Sequence, residues 1–186
     1  MEKIRCDWCL KDDIYMTYHD EVWGVPEKDA IRLFEFLNLE GAQAGLSWYS
    51  VLIRMESYRK AFLDWNPAAL AVMSDDYKED LMSNKGIIRN KLKIESVVNN
   101  ARCYIRMKKG GIDFSEFLWS FVGGSPIINS YDTVSQLPAS TETSEKLSKA
   151  LKKEGFKFVG PIIVYAFMQA AGMVDDHIND CWKKLK

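Results

Sequence analysis

Apolar residues recur every three or four positions along most of the chain, a period that predicts helices. In DAIRLFEFLNLE (29–40), Asp29 reads as an N-cap, and Ile31, Phe34 and Leu37 fall on one face. SWYSVLIRMESYRKAF (47–62) carries Trp48, Val51, Leu52, Met55, Tyr58 and Phe62 as an amphipathic stripe. Asn66–Pro67 reads as an N-cap followed by proline at the first helical position. A third long helix is expected over 91–109, with Leu92, Val97, Ala101 and Tyr104 repeating the apolar pattern and Gly110–Gly111 as its stop. Residues 143–155 end at Gly155, and Pro161 opens a further helix over 161–172. SPIINS (125–130) is apolar but too short to anchor a sheet, and 123–143 is the longest expected loop. The expected class is all-α. One unit spans 1–186, with a helical core, a hairpin near 147–172, and terminal segments 1–26 and 173–186 forming a second lobe.

Composition supports that picture and removes some functions. A chain of 186 residues with 47% hydrophobic content can bury a sizeable core. No apolar run approaches the roughly 18 residues of a membrane span. MEKIRCDWC at the N-terminus is charged and lacks the apolar segment of a signal peptide. A cytoplasmic protein without a membrane partner is therefore expected. The net charge of −1 argues against coating nucleic acid through bulk charge, although SKALKKEGFKFVG (148–160) gathers lysines into a local patch.

Candidate chemistry lies in three places. In AAGMVDDHINDCW (170–182), His177 and Cys181 stand four apart, which on a helix would put both on one face. Zinc prefers four thiolate and imidazole ligands, and the N-terminus offers Cys6, Cys9 and His19. The open sets are Cys6/His19/His177/Cys181 and Cys9/His19/His177/Cys181, against the plain alternative of a helix end with a surface histidine and a buried cysteine. A closed four-ligand site would be structural and would pin one terminus to the other.

The second place is Glu40 in FLNLEGAQAGLSWYSVLIR (36–54), where Gly41 and Gly45 flank a tight link and Trp48 follows. Taken alone, these residues read as a solvated glutamate and a core tryptophan. The segment CDWCLKDDIYMTYHDEVWG (6–24) adds Trp8, Tyr15, Tyr18 and Trp23, more rings than a solvent loop needs. Such a wall suits a flat cationic heterocycle, with a carboxylate at its edge. The third place is LKKEGFKFVGPIIVYAFMQAAG (151–172). Gly155 and Gly160 allow close backbone approach, N–H groups after Gly160 favour an anion, and Lys152, Lys153 and Lys157 add charge. The plain alternative is an ordinary αα-hairpin.

Several long motifs, in order, carry a resemblance over essentially the whole chain: YHDEVWGVP (18–26), LEGAQAGLSW (39–48), GIIRNKLKI (86–94), FLWSFV (117–122), LSKALKKEGFKFVG (147–160) and DDHINDC (175–181). The sequence closely resembles the 3-methyladenine DNA glycosylase I family, within the helix-hairpin-helix glycosylase superfamily. That resemblance implies base-excision repair: release of N3-methylated adenine from double-stranded DNA, leaving an abasic site. A monomer is the default expectation. It places the base-recognising, catalytic carboxylate at Glu40, the pocket at Tyr18 and Trp48, and further walls at Trp8 and Tyr15. It chooses Cys6, His19, His177 and Cys181 to hold one structural zinc ion, leaving Cys9 as a spare thiol. The hairpin, with Gly155, Lys157 and Gly160, would grip DNA backbone, and the Gln43–Leu46 loop would lie near the gap left by the extruded base.

One position departs from the family pattern. Many members of the superfamily carry a catalytic aspartate at the start of a VD-x-H segment, whereas the methyladenine family often has asparagine there. Asp175 is therefore either a second catalytic acid or a helix N-cap before His177, and the cap is expected. No lysine follows Gly160 to serve as a Schiff-base nucleophile, so strand cleavage is not expected. Two readings compete with the glycosylase: a zinc-stapled helical protein that binds damaged DNA without catalysis, and a zinc hydrolase with an open metal position.

Overall fold

The computed structural model describes residues 3–185, and most of them are helical. Among the described residues ten α-helices follow in order: α1 (Asp13–Glu21), α2 (Ala30–Gln43), α3 (Trp48–Leu52), α4 (Met55–Ala61), α5 (Pro67–Ala71), α6 (Asp75–Ser83), α7 (Lys91–Lys109), α8 (Phe114–Ser120), α9 (Glu142–Lys153) and α10 (Pro161–Ala170). Side-chain caps explain many of their starts. Asp12, Asp29, Asn66, Ser74, Asn90 and Asp113 each accept hydrogen bonds from otherwise orphaned backbone N–H groups of the first turn. Thr141 and Ser144 form a reciprocal capping box at α9.

The predicted 47–62 helix is two helices. Between α3 and α4, Ile53 and Arg54 leave the helical path, and the Arg54 guanidinium donates back to the Ser50 carbonyl at 2.7 Å. The apolar period continues across the break because both pieces bury their stripe on the same core, so periodicity alone did not reveal it. Helices α1, α6 and α8 carry weaker stripes and were not anticipated. The apolar stretch 125–130 supplies β1 (Ile127–Ile128), which pairs in parallel with β2 (Val174–Asp175). This one short ladder ties the long loop to the C-terminal segment.

Helix α2 is the centre of the molecule. Every residue from Leu33 to Ala42 is buried, with α10, α7, α3 and α8 packed around it. A helix enclosed on all sides must also bury its polar residues, and α2 buries three of them: Glu35, Asn38 and Glu40. Glu35 is neutralised by Arg32 and by Arg59, whose Nε donates to Oε1 at 2.8 Å. Asn38 donates to the Phe34 carbonyl and accepts from the Asn100 amide of α7 at 2.9 Å. Glu40 is treated below.

The C-terminal segment after α10 is not a helix. Residues 176–185 run as turns, and Cys181 N–H donates to the Ile178 carbonyl at 2.9 Å. His177 and Cys181 therefore do not share a helix face, and Asp175 is not a helix N-cap. The pairing of Val174–Asp175 with β1 holds that stretch extended, which excludes helical geometry. The segment instead packs on the N-terminus. Gly24 N–H donates to the Gln169 carbonyl, Glu27 N–H to the Ala171 carbonyl, and Trp182 N–H to the Ile4 carbonyl. Cys6, Tyr18, Trp23, Leu52, Ala170 and Cys181 form a second apolar cluster at this junction. No helix among the described residues is long and apolar enough to cross a membrane.

Two glycines permit this close approach. At Gly24 (φ +75°) a Cβ would lie 2.5 Å from Cε1 of His177, and at Gly172 (φ +64°) it would lie 2.4 Å from the Val25 carbonyl carbon. Gly172→Ala must therefore displace backbone as well as adopt a strained φ. It is expected to cost more than about 2 kcal/mol in urea unfolding. Gly111→Ala has a similar φ (+78°) but open space around it and should cost about 1 kcal/mol. Equal costs at the two positions would contradict the packing described here.

Candidate active site

At the junction, α1, α2, α3, α10 and the 123–143 loop surround a cavity of about 280 Å³. Trp8, Tyr15, Tyr18, Trp23 and Trp48 form most of its wall, Glu40 and Gln43 come from α2, and Leu137, Ala166 and Gln169 complete it. The rings brace one another. Trp8 meets Tyr15 and Trp23 edge-on at centroid distances of 5.4 and 5.1 Å, and Tyr18 lies tilted against Trp48 at 5.4 Å. Edge-to-face packing of this kind holds ring faces in place for a flat ligand.

All five residues expected at the pocket, Trp8, Tyr15, Tyr18, Glu40 and Trp48, lie on this one cavity. Gln43 lies there too, at its rim, and its side-chain amide donates to the Leu46 carbonyl at 2.7 Å. That bond closes the 43–46 link, while Lys93 of α7 donates to the Ala42 and Ala44 carbonyls at 2.8 and 2.7 Å. Leu46 is left 40% exposed on the link, an apolar side chain presented to solvent. Trp23, counted in the aromatic wall but not among the residues assigned to the pocket, lines it too, whereas Leu137, Ala166 and Gln169 were not anticipated. Gln169 is the one amide among the apolar and aromatic side chains of α10, a usable signal. Leu137 sits in a loop and carried none.

Glu40 is the chemically unusual group. It is 4% exposed, and burial pushes its carboxyl up to about 8. No charged neighbour or hydrogen bond offsets that burial. Burial first, and then the Glu40 charge, also hold the Tyr18 hydroxyl well above its ordinary range. The pocket thus combines aromatic faces with a carboxyl that is costly to ionise until a cation arrives. A cationic heterocycle is the ligand that repays that cost, through ring-face attraction and ion pairing together.

Beside the cavity, Cys6, His19 and Cys181 bring potential ligand atoms within 4.8 Å of one another, all buried. His177 lies outside this closest group, with its ring edge-on to His19 at a centroid distance of 5.1 Å. Each histidine is oriented by a carboxylate through Nδ1: His19 by Asp20 at 2.8 Å and His177 by Asp175 at 2.7 Å. Nε2 of His19 then faces Cys181 Sγ at 3.4 Å, and Nε2 of His177 is buried without any hydrogen-bond partner. Cys9 points away and donates its thiol to the Cys6 carbonyl.

Asp175 is 1% exposed and does not line the cavity. Its carboxylate accepts from His177 N–H, His177 Nδ1 and Leu185 N–H and pairs with Lys184. The hairpin residues stand apart from the pocket. Gly155 (φ +90°) ends the α9 side and Gly160 is the N-cap of α10. Between them Lys157 is exposed, and its backbone N–H is held by Oδ1 of Asn100 at 2.8 Å.

A mostly helical protein with a buried, unpaired carboxyl inside an aromatic pocket is built to hold a flat, cationic heterocycle. The comparisons narrow that class. Residues 8–184 match the family described as methyladenine glycosylase, and the chain belongs to that family. It is 49% identical over 177 residues to DNA-3-methyladenine glycosylase 1 of Escherichia coli (strain K12), covering 95% of each chain. It is 50% identical to DNA-3-methyladenine glycosylase of Haemophilus influenzae, covering 95% of this chain and 96% of that one. A crystal structure of 3-methyladenine DNA glycosylase I superposes with a TM-score of 0.96 at 48% identity, covering 98% of this chain and all of the other. The Staphylococcus aureus enzyme, solved to explain its recognition of 3-methyladenine, superposes with a TM-score of 0.94 at 41% identity, covering 98% and 97% of the two chains.

The raised Glu40 carboxyl has a consequence for stability. Below about pH 4.5 the group is protonated in both folded and unfolded chains and costs nothing. Between about pH 4.5 and 8 the unfolded chain has lost the proton while the folded chain holds it, so stability falls across that window and levels off once the folded chain also ionises. Glu40→Gln removes that loss. Relative to its difference from wild type at or below about pH 4.5, its melting temperature should gain a margin that grows up to about pH 8 and then levels off. A constant difference across this range would mean that the carboxyl is not desolvated.

Proposed function

We propose that this protein is a base-excision repair glycosylase that hydrolyses the N-glycosidic bond of 3-methyladenine in duplex DNA as a monomer, leaving an abasic site. The observation that carries this reading is Glu40, a buried carboxyl with no internal partner inside an aromatic pocket, in a chain of the methyladenine glycosylase family. Chemistry on a base requires taking it out of the stack, and the cavity of about 280 Å³, walled by aromatic rings, has room for one purine. 3-Methyladenine carries positive charge while joined to the sugar, so its glycosidic bond is already weakened. The aromatic faces stack on the cation and the Glu40 carboxylate pairs with its edge. Water then attacks the sugar carbon and gives up a proton to solvent, the electron pair of the C–N bond leaves with the base, and the base departs neutral.

Ordinary adenine is neutral and offers no charge to offset ionisation of Glu40, so the pocket favours the methylated base. The 154–160 turn acts as the hairpin of a helix-hairpin-helix element, presenting Lys157 and the free N–H groups after Gly160 to phosphate. Leu46 and Gln43 occupy the space that the extruded base leaves. With its carboxylate consumed by His177, Leu185 and Lys184, Asp175 takes no part in the chemistry. Glu40→Gln keeps the shape but removes the charge, and is expected to slow release of 3-methyladenine from methylated DNA by about 100-fold. Release is followed by chromatography of the freed base, and wild-type rates in this variant would reject the assignment.

The cysteine and histidine cluster fits a structural zinc ion held by Cys6, His19, His177 and Cys181. The fit rests on the donor set, two thiols and two imidazoles, and on the buried, partnerless Nε2 of His177, which a metal would satisfy. Asp20 and Asp175 are the carboxylates that orient ligating imidazoles. The ion would join the two termini behind the pocket and supply no catalysis. Elemental analysis should find one zinc per chain. Cys6→Ser should lose the metal and lower the melting temperature, while Cys9→Ser should keep both. A zinc content unaffected by Cys6→Ser would exclude this ligand set.

A further inference from the structure

Gln169 of α10 lines the same cavity as Glu40, yet the recognition described so far leaves it without a role. Its side-chain amide nitrogen donates to Oδ2 of Asp176 at 2.7 Å. Asp176 is 1% exposed and is approached only by donors: the Tyr165 hydroxyl meets the same oxygen at 2.6 Å, and the Asn129 amide meets Oδ1 at 2.7 Å. Turning the Gln169 amide over would set its oxygen against a carboxylate oxygen inside the protein, which is strongly unfavourable. The amide is therefore fixed in sense. Its nitrogen is committed to Asp176, and its oxygen, which receives no hydrogen bond from the protein, is the polar atom left for a ligand.

We infer that Gln169, held in one sense by Asp176, reads the six-position of the extruded purine and selects a 6-amino base over a 6-oxo base. This rests on the glycosylase reading above. A fixed acceptor pairs with the amino group of 3-methyladenine and opposes the carbonyl oxygen of 3-methylguanine. Glu40 cannot make that distinction by itself. Glu40 answers the positive charge that both methylated bases share, whereas an amide pinned by a buried carboxylate reads the group at the six-position. Gln169 contacts the base in this scheme, and Asp176 is a positioning residue that acts through it. Tyr165 and Asn129 complete the support by satisfying the remaining acceptor capacity of Asp176. A site that hydrogen-bonds its substrate in this way rejects the mismatched analogue because a buried acceptor is left facing another acceptor.

The test follows release of both 3-methyladenine and 3-methylguanine from one preparation of methylated duplex DNA. Gln169→Leu should narrow the adenine-to-guanine rate ratio by about tenfold, mainly by slowing the adenine. Asp176→Asn allows the amide to turn and should narrow the ratio similarly, with a gain in 3-methylguanine release that a general loss of structure would not produce. An unchanged ratio in Gln169→Leu overturns the inference. A second measurement needs no variant: wild-type protein should bind free 3-methyladenine about tenfold or more tightly than its 6-oxo counterpart. Equal affinities overturn the inference while leaving the glycosylase reading intact. A wild-type protein that releases no 3-methyladenine removes that reading, and this inference with it.

Discussion

The close seating of Gly24 against the imidazole of His177 is the constraint on which the site depends. Three things converge there. The absence of a Cβ lets the chain turn at Gly24 beside the ring, Trp23 packs edge-on to the same imidazole at 4.7 Å, and Gly24 N–H bonds to Gln169 at the end of α10. The aromatic N-terminal segment is thereby fixed to the helix that forms the opposite pocket wall. Tyr18 and His19 are neighbours on α1, so one turn of helix directs a ring into the pocket and an imidazole into the cysteine cluster. Anything that loosens the cluster also moves the pocket wall.

The pocket itself works against stability. Burying a carboxyl with no internal partner is a cost that a purely structural core would avoid, as α2 shows one turn earlier. Glu35 is as deeply buried as Glu40 but is neutralised by two arginines. The two glutamates share a helix and differ in what faces them. Glu35 faces Arg32 and Arg59, whereas Glu40 faces an open cavity walled by rings. The missing partner of Glu40 has to come from outside, and a cationic base is the partner for which that interaction is strongest when the site is dry.

Much of this was legible in the sequence. The long helices, their capping residues at Asp29 and Asn66, and the stop at Gly110 follow from local rules, and the structure keeps them. The grouping of Trp8, Tyr15, Tyr18 and Trp48 around Glu40 was implied by family resemblance, since spacing alone cannot bring residues 8 and 48 together. What local pattern misread was the geometry after α10. A His-x₃-Cys spacing suggested a helix, but pairing with residues 127–128 holds 174–175 extended and 176–185 follow as turns. That pairing spans nearly fifty residues of chain, and no local period encodes it. The same limit hid Leu137, which reaches the pocket from the long loop, and the double role of Asp175, whose neighbours are brought to it by tertiary packing.

The hairpin and the pocket are joined by a short polar chain inside the core. Asn100 of α7 accepts from Lys157 N–H, donates to the Lys157 carbonyl, and donates to Asn38 of α2, two residues before Glu40. Next to that contact, Gly41 of α2 packs against Phe158, where an added Cβ would approach the Phe158 Cβ to 3.1 Å. Phe158 holds a left-handed backbone (φ +54°), a conformation disfavoured for an aromatic residue. Such strain persists only where the surroundings over-determine the geometry, and here those surroundings are the helix that carries Glu40. The turn bearing Lys157 is thus set directly on the element bearing Glu40. Under the proposed function, a phosphate gripped at the turn and a base seated at Glu40 would be held in one fixed relation. A flexible hairpin would have to find that spacing anew at each encounter, losing the orientation on which extrusion of a single nucleotide depends.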